Sequence, residues 1–255
     1  MIFDTHAHYD DEAFDDDRDD ILENLPNLDV KGIINSSVDI NTSLKSIALS
    51  DKYPFVYSAI GIHPQNIDAQ IEDNYIETLE NLIYSHKKVV AIGEIGLDYH
   101  FDFENKLKQI ELFENQIELS LKHQLPILVH DREAHKDTLE ILHKYKPSGI
   151  VHCFSGSLEM AREIIKLEMF LGIGGVLTFK NAKNIVEVVK EIPLEHLVLE
   201  TDAPYLSPVP LRGKRCNSSY IKYVAEKIAE IKSIDINTVY KVTFENAKRI
   251  FKIKD

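Results

Sequence analysis

Long apolar runs are missing from this sequence. No stretch approaches the roughly 20 consecutive apolar residues that a membrane-spanning helix needs, and the N-terminus has no basic segment followed by a long apolar one. We therefore expect neither a membrane span nor a secretory signal. Cysteine is also scarce, since Cys153 and Cys216 are the only two. Two cysteines do not make a disulfide framework, which favours the reducing cytoplasm.

Linker segments are lacking too. No Pro-, Gly- or Ser-rich tract, low-complexity segment or internal repeat divides the 255 residues. An α/β barrel of this length can form around one core. The content of 44% apolar and 28% charged residues is typical of a globular protein. We therefore expect residues 1–255 to form a single domain.

Acidic residues are unevenly distributed along the chain. The net charge is −13, and residues 10–20 alone hold eight acidic residues and one arginine. That segment lacks the alternating oxygen ligands and central glycine of an EF-hand, so we interpret it as a solvated loop and helix start. An acidic protein is a poor partner for a polyanion, but bound divalent cations reverse the field at a carboxylate-lined site. The charge argues only weakly against a nucleic-acid substrate.

Short apolar segments alternate with segments of helical pattern. The predicted strands are 3–8, 32–35, 55–60, 89–93, 127–129, 149–151, 170–173 and 197–200. The predicted helices are 21–28, 42–51, 72–86, 105–123, 135–145, 158–168, 182–190, 218–232 and 237–249. Parallel strands require such crossovers, and eight strand–helix units most simply close into a (β/α)8 TIM-type barrel with extra C-terminal helices.

The segment 105–123 has the clearest helical pattern. Its apolar residues recur at spacings of three and four, which predicts one buried stripe. The predicted stripe consists of Leu107, Ile110, Phe113, Ile117 and Leu121. We interpret the Tyr and Phe residues at helical spacing as core, and the sequence offers no evident platform for stacking nucleic-acid bases.

Potential metal ligands follow the apolar runs. His6 and His8 lie two residues apart on the first strand, so their imidazoles point to the same side and can bind one metal ion together. Glu200 and Asp202 repeat this spacing after the last predicted strand. Three further strands lead into Glu94, His130 and His152. In a barrel all of these would meet at the carboxyl-terminal end, where active sites lie.

Six segments together carry a family resemblance. They are Asp4-Thr5-His6-Ala7-His8, Gly61-Ile62-His63-Pro64, Gly93-Glu94-Ile95-Gly96-Leu97-Asp98, His130-Asp131-Arg132-Glu133-Ala134, His152-Cys153-Phe154-Ser155-Gly156 and Glu200-Thr201-Asp202-Ala203-Pro204. In this order they resemble the TatD family of metal-dependent deoxyribonucleases, within the amidohydrolase superfamily. The resemblance extends over essentially the whole chain.

The resemblance implies a site for two metal ions. One would be held by His6, His8, Glu94 and Asp202, and the other by Glu94, His130 and His152, with Glu94 bridging. Two such ions can clamp the attacking and leaving oxygens of a phosphoryl displacement and lower the pKa of a shared water. We assign Asp202 as general base as well as ligand. Four imidazoles favour zinc, manganese, nickel or iron, whereas the family is commonly associated with magnesium.

Other residues keep two interpretations each. His63 either donates to the scissile phosphate or orients a neighbour, and Glu200 either supports a ligating histidine or caps the strand end. Cys153 is interpreted as a small buried residue rather than a ligand. Four basic residues are predicted to contact substrate phosphates or to be solvated surface: Arg132, Arg212, Lys214 and Arg215.

One segment departs from the family pattern. After Arg215 the family commonly has Asn-Glu-Pro, whereas this chain has Cys216-Asn217-Ser218-Ser219. The departure affects no expected metal ligand but brings substrate contacts of that loop into question.

Three functions from different classes are compatible with these residues. The favoured function is a deoxyribonuclease that releases 5′-mononucleotides from 3′ ends by attack of a hydroxide shared between the ions, with DNA as substrate and RNA as an alternative. The second is hydrolysis of a cyclic amide or ester on the same fold. No lysine in the motifs offers a carbamylated bridge, which favours the nuclease. The third is a non-catalytic barrel, for which an incomplete ligand set would be expected. No obligate protein partner is indicated.

Overall fold

The chain forms a parallel β-barrel in the computed structural model, which describes residues 1–67 and 74–254. The strands in these residues are β1 (Ile2–Ala7), β2 (Val30–Ser36), β3 (Val56–Ile60), β4 (Val89–Asp98), β5 (Ile127–Arg132), β6 (Gly149–Val151), β7 (Phe170–Ile173) and β8 (Leu197–Leu199). They form one sheet in the order of the sequence, and each neighbouring pair is parallel. The predicted eight-stranded α/β barrel is confirmed.

A helix connects each strand to the next, and two more follow the last strand. The helices in the described residues are α1 (Arg18–Asn24), α2 (Ile40–Lys52), α3 (Tyr75–Ser85), α4 (Lys106–His123), α5 (His135–Tyr145), α6 (Leu158–Lys166), α7 (Lys183–Glu191), α8 (Ile221–Lys232) and α9 (Ile236–Phe251). Positions 72 and 73 of the predicted helix 72–86 lie outside the described residues. None of the helices described here combines the length and apolarity needed to cross a membrane.

The first and last strands meet next to the predicted ligands. Ala7 and Ala203 form a parallel β-bridge just beyond β8. The backbone N–H of His8 donates to the carbonyl of Ala203 at 2.7 Å, and that of Asp202 donates to the carbonyl of His6 at 2.9 Å. The contact between β1 and β8 thus brings the two ends of the chain together at the carboxyl-terminal end of the barrel.

Two hydrophobic clusters stabilise the barrel. The larger one lies between the strands and the surrounding helices and includes Ile33, Ile92 and Ile117. The smaller one takes one residue from each strand, together with residues of α9, and therefore fills the inside of the barrel. Its members are Phe3, Ile34, Ala59, Ala91, Leu128, Ile150, Phe170, Val198, Ala247, Ile250 and Phe251.

The predicted stripe on α4 is partly wrong. Leu107 is 79% exposed and Leu121 is 43% exposed, whereas Phe113 and Ile117 are fully buried. The buried face instead includes Gln109, Gln116 and Ser120.

Hydrogen bonds to backbone outside α4 explain why two polar residues displace leucines from this face. Gln109 accepts from the N–H of Asp98 at 2.8 Å and donates to its carbonyl at 3.1 Å. Gln116 makes the same pair of bonds to Ile62, at 2.7 and 3.0 Å. Because each buried amide is satisfied, burying it costs little. Both glutamines fix backbone that leads into the site.

Candidate metal centre

Side chains from the two ends of the chain meet around Glu94. The Nε2 atoms of His6 and His8 are 3.2 Å apart, and Nε2 of His6 lies 3.1 Å from Oε2 of Glu94. Oδ1 of Asp202 lies 3.3 Å from Nε2 of His8 and 3.8 Å from that of His6. These four residues therefore direct nitrogen and oxygen atoms at one small volume between β1 and residues 200–220, the connection from β8 to α8 that we call the β8 loop.

A second group surrounds the other oxygen of the same carboxylate. Oε1 of Glu94 is 2.7 Å from Nδ1 of His130 and 2.7 Å from Nε2 of His152. Nε2 of His63 lies 3.4 Å from the same oxygen. Glu94 thus has one carboxylate oxygen in each group. The sequence predicted Glu94 and His130 at strand ends, whereas they lie within the longer strands β4 and β5.

The spacing of the ring nitrogens fits a metal centre. Two nitrogens that bind one ion tetrahedrally at about 2.1 Å lie roughly 3.4 Å apart. The His6–His8 pair is 3.2 Å apart, and Nδ1 of His130 is 3.3 Å from Nε2 of His152. Among the described residues, three groups have ligand atoms within 4.8 Å of one another: His6, His8 and Glu94; His63, Glu94 and His130; and His6, His152 and Asp202.

Hydrogen bonds to the far ring nitrogens of two imidazoles leave their other nitrogens available to bind a metal ion. Nδ1 of His8 donates to the carbonyl oxygen of Ser36 at 2.9 Å, which leaves the lone pair of Nε2 directed at the cluster. Nε2 of His130 lies 3.2 Å from a carboxylate oxygen of Asp98, so its Nδ1 faces Glu94. A hydrogen bond on the far nitrogen is the usual support of a metal-bound histidine. The sequence alone does not reveal these roles of Ser36 and Asp98.

His63 differs from these two imidazoles, because its proton lies on the nitrogen that faces the cluster. Its Nδ1 accepts a hydrogen bond from the backbone N–H of Gln65 at 3.1 Å. A neutral imidazole that accepts through Nδ1 carries its proton on Nε2, the atom that faces Glu94. His63 therefore presents an N–H donor rather than a lone pair. This geometry favours the predicted donor role of His63.

The clustered imidazoles and carboxylates shift one another's pKa values. Burial raises the pKa of Glu94, but the charges of His152 and His6 outweigh burial and hold it well below its usual range. Burial lowers the pKa of His6 to about 4. Burial also lowers the pKa of His8, yet the contact with Asp202 and the charge of Glu94 raise it overall to about 10. A divalent cation competes with these protons for the same lone pairs.

A buried aspartate joins the segments that carry the ligands. Oδ1 of Asp4 accepts from the N–H groups of His6 at 3.2 Å and Thr201 at 3.0 Å. Its Oδ2 accepts from the hydroxyls of Thr201 at 2.6 Å and Ser218 at 2.7 Å. Ser218 in turn contacts the hydroxyl of Tyr9 at 2.8 Å. Asp4 therefore fixes β1 against the β8 loop.

This network also shows where the unusual loop segment lies. Cys216 and Ser218 are buried, and Ser218 contacts Asp4 rather than solvent. The segment that departs from the family pattern thus supports the candidate metal centre through Asp4, which holds the backbone of His6. This role is not evident from the sequence, because Asp4 and Ser218 are 214 positions apart.

Glu200 supports the segment that carries His152. One of its carboxylate oxygens accepts from the backbone N–H of Cys153, the residue after His152. A Cβ on Gly172 would overlap the other oxygen, so only glycine allows this approach. Burial raises the pKa of Glu200 to about 8. Of the two interpretations of Glu200, this contact favours support of a ligating histidine over capping of the strand end.

An open pocket of about 580 Å³ exposes the centre, and the predicted substrate contacts fall in two places. Arg132 lines this pocket together with Glu94, His130 and Asp202. Lys45 on α2 also lines it and was missed, since in the sequence it resembles any surface lysine. The remaining predicted contacts line a neighbouring pocket: Arg212, Lys214 and Arg215.

Comparisons with known proteins agree with this arrangement. The family model described as TatD related DNase matches residues 3–252. The chain is 46% identical to the uncharacterized metal-dependent hydrolase YabD of Bacillus subtilis (strain 168), covering 99% of this chain and 100% of that protein. It is 34% identical to the uncharacterized metal-dependent hydrolase YcfH of Escherichia coli (strain K12), covering 99% and 96%.

A solved structure is also similar over its whole length. The TatD homologue YJJV of Escherichia coli K12 superposes with a TM-score of 0.93 at 28% identity, covering 99% of this chain and 98% of that one. The family model and YabD each cover nearly all of the chain, and their descriptions agree with the cluster of potential ligands. The chain therefore belongs to the TatD family of metal-dependent hydrolases.

Proposed function

We propose that this protein hydrolyses phosphodiester bonds of DNA and releases 5′-mononucleotides from 3′ ends. The observation that carries the proposal is that four imidazoles lie within 3.5 Å of the Glu94 carboxylate and that the Asp202 carboxylate adjoins two of them. The name of the matching family model, TatD related DNase, supports DNA as the substrate. The substrate reaches these residues through the open pocket.

We infer that the centre takes two divalent cations. His6, His8 and Asp202 would hold one, His130 and His152 the other, and Glu94 would contribute one oxygen to each. When bound, such ions supply Lewis-acid activation of a water molecule and neutralise phosphate charge. The imidazole-rich set favours manganese, zinc or nickel over magnesium, which prefers oxygen ligands.

Asp202 is the best placed general base. Its side chain is 18% exposed, more open to the pocket than the 5% of Glu94. A water molecule that attacks the phosphorus gives one proton to Asp202. The new P–O bond forms as the bond from phosphorus to the 3′ oxygen of the preceding nucleotide breaks, and that oxygen takes a proton from solvent. The terminal nucleotide leaves with its 5′ phosphate.

Two other residues would hold the phosphate during this displacement. His63 offers the N–H of Nε2, because its Nδ1 is occupied by the backbone of Gln65. Arg132 lines the same pocket and can form paired hydrogen bonds to phosphate oxygens. Both groups stabilise charge that increases on the equatorial oxygens in the transition state.

A labelled oligonucleotide tests the proposal. Single-stranded DNA with a 5′ label and manganese or magnesium should shorten stepwise from its 3′ end, and EDTA should stop the reaction. The same DNA with a 3′ label should lose the label at the first cleavage as a mononucleotide. Asp202→Asn should reduce turnover by about 10²-fold or more, because the general base is removed.

Two results would contradict the proposal. Intact DNA after incubation with each metal, combined with hydrolysis of a lactone or a dihydropyrimidine, would favour the carbonyl-directed alternative. Loss of a 5′ label as the first product would reverse the proposed direction. An RNA oligonucleotide of the same sequence, assayed in parallel, measures the preference between the two nucleic acids.

A further inference from the structure

The pocket of about 580 Å³ that exposes Glu94 is called the metal pocket below. A second pocket adjoins it and has no role in the function proposed above. It has a volume of about 450 Å³, and the β8 loop forms most of its lining. Tyr205 lines both pockets, so the two adjoin at this residue. A polymer held in the metal pocket therefore reaches the second pocket by passing Tyr205.

Positive charge is concentrated in this second pocket. Arg212 and Lys214 line it, and neither has a carboxylate partner in residues 1–67 or 74–254. Arg215 differs, since its guanidinium is paired with Asp17. Two uncompensated cations are notable in a chain with a net charge of −13. A pocket of this kind attracts an anion, and phosphate suits both side chains.

The loop that carries these cations is held in place. The guanidinium of Arg212 lies 3.8 Å from the ring centroid of Phe179, which orients it. The hydroxyl of Ser207 donates to the carbonyl of Lys214 at 2.6 Å. A Cβ on Gly175 would overlap the carbonyl oxygen of Leu206, so glycine allows the loop to pack this closely. Binding here requires little ordering of the loop.

Tyr205 presents an exposed and fixed ring between the pockets. Its side chain is 54% exposed. Its hydroxyl donates to a carboxylate oxygen of Asp11 at 2.7 Å, and its backbone N–H donates to the carbonyl of Asp202 at 2.8 Å. A rigid exposed aromatic ring beside a cationic pocket is the usual arrangement for binding a single-stranded nucleic acid.

We propose that Tyr205, Arg212 and Lys214 form a second nucleotide subsite for single-stranded DNA. The base next to the scissile bond stacks on Tyr205, and the phosphate beyond it binds Arg212 and Lys214. This inference rests on the proposed function, because the DNA strand must begin in the metal pocket. The β8 loop then determines the preference for longer DNA strands, and the metal centre cleaves them.

Two measurements test the subsite. The first is binding of a fluorescein-labelled octanucleotide to EDTA-treated protein, followed by anisotropy. The second is the ratio of kcat/KM for the octanucleotide to kcat/KM for bis(4-nitrophenyl) phosphate, which is too small to reach past Tyr205. The variants are Tyr205→Ala, Tyr205→Phe and the double change Arg212→Ala with Lys214→Ala.

A matched control comes from the opposite end of the barrel. Arg249 lies 5.1 Å from the ring centroid of Phe170, so Arg249→Ala removes a similar arginine from a similar aromatic contact. This variant should keep both the octanucleotide Kd and the kcat/KM ratio of the parent protein.

The subsite variants should differ from this control. The double variant should raise the octanucleotide Kd roughly 10-fold and lower the salt dependence of log Kd by about 0.7 for each phosphate that is no longer neutralised. Tyr205→Ala should raise Kd about 5- to 100-fold, whereas Tyr205→Phe, which keeps the stacking ring, should stay within about threefold of the parent.

The outcomes separate this inference from the proposed function. If the double variant binds and cuts the octanucleotide as well as the Arg249→Ala control, the subsite is wrong while the nuclease function stands. If the parent protein leaves DNA intact yet binds the octanucleotide through Tyr205 and the two cations, the nuclease function fails and the subsite stands. Equal Kd values for Tyr205→Ala and the parent would also overturn the stacking role.

Discussion

The two ends of the barrel are built from the same strands but have opposite chemistry. At one end Phe3 packs against Phe251 and Phe244, with ring centroids 6.1 and 5.9 Å apart. Only three residues further along β1, His6 is equally buried but faces Glu94 at 3.1 Å. One end therefore excludes water with apolar rings, and the other concentrates polar atoms that need a partner.

This difference separates stability from activity. Apolar burial inside the barrel stabilises the folded chain without contributing a reactive group. The polar end loses stability by burying imidazoles and carboxylates, and regains it when a cation binds to them. Changes at one end should therefore alter the free energy of unfolding, and changes at the other should alter turnover and metal content.

The largest expected effect comes from the residue between the two ligand groups. Glu94→Gln keeps the shape but removes the charge and replaces one of the two acceptor oxygens that face His130, His152 and His6 with an NH2 donor. We expect kcat to fall about 10³-fold or more, and bound metal to decrease, because both of the proposed ion sites share this carboxylate. Nucleotide release and elemental analysis of the purified variant measure the two effects.

A matched glutamate provides the control for that experiment. Glu245 lies on the exposed surface of α9. Glu245→Gln should retain both metal and turnover, since no ligand is affected. Full metal content and turnover in Glu94→Gln would mean that the polar cluster is structural rather than a metal centre.

The apolar end should show the reverse behaviour. Phe3→Ala opens a cavity beneath α9 and removes three aromatic contacts. We expect a loss of about 3 to 5 kcal/mol in the free energy of unfolding. The kcat/KM of the protein that remains folded should stay within about twofold, because Phe3 touches no ligand. Urea unfolding and the DNA assay measure the two quantities.

An exposed phenylalanine calibrates this result. Phe101 is 64% exposed, so Phe101→Ala should change the free energy of unfolding by less than about 0.5 kcal/mol. If Phe3→Ala instead lowered kcat/KM as much as Glu94→Gln does, the two ends of the barrel would be coupled and the separation proposed above would be wrong.

The sequence predicts some parts of this comparison well and others poorly. His130 and His152 are visible because each follows a short apolar run, and the barrel brings such positions together. The glutamines of α4 are not predictable, since Gln109 and Gln116 are satisfied by backbone groups at the end of β4 and in the loop after β3. Periodicity reports the polarity of a side chain and carries no information about a hydrogen-bond partner.

Contacts between segments that are distant in the sequence are the second feature that could not be predicted. Asp4 belongs to a recognised motif, yet its function depends on Ser218, which lies in the segment that departs from the family. Lys45 reaches the metal pocket from α2 only because that helix follows β2. These contacts form only in the folded barrel. The sequence therefore shows the residues involved but not that they lie close together.

The smallest expected effect tests the contact between β1 and the β8 loop. Ser218→Ala removes one hydroxyl donor from the buried carboxylate of Asp4. We expect a loss of about 1 to 2 kcal/mol in the free energy of unfolding, because a buried charged acceptor loses a partner. We also expect roughly 10-fold weaker metal binding, because Asp4 holds the backbone of His6. Urea unfolding and metal titration measure these effects.

Ser219 lies next to Ser218 and provides the control for this contact. Its hydroxyl donates to Asn217 within the same loop. Ser219→Ala should leave metal affinity unchanged, since it does not reach Asp4. Equal metal affinity in both variants would show that the loop stabilises the barrel without positioning the ligands. If only Ser218→Ala weakens metal binding, then the segment in which this chain departs from its family helps to position the ligands at the polar end, through Asp4.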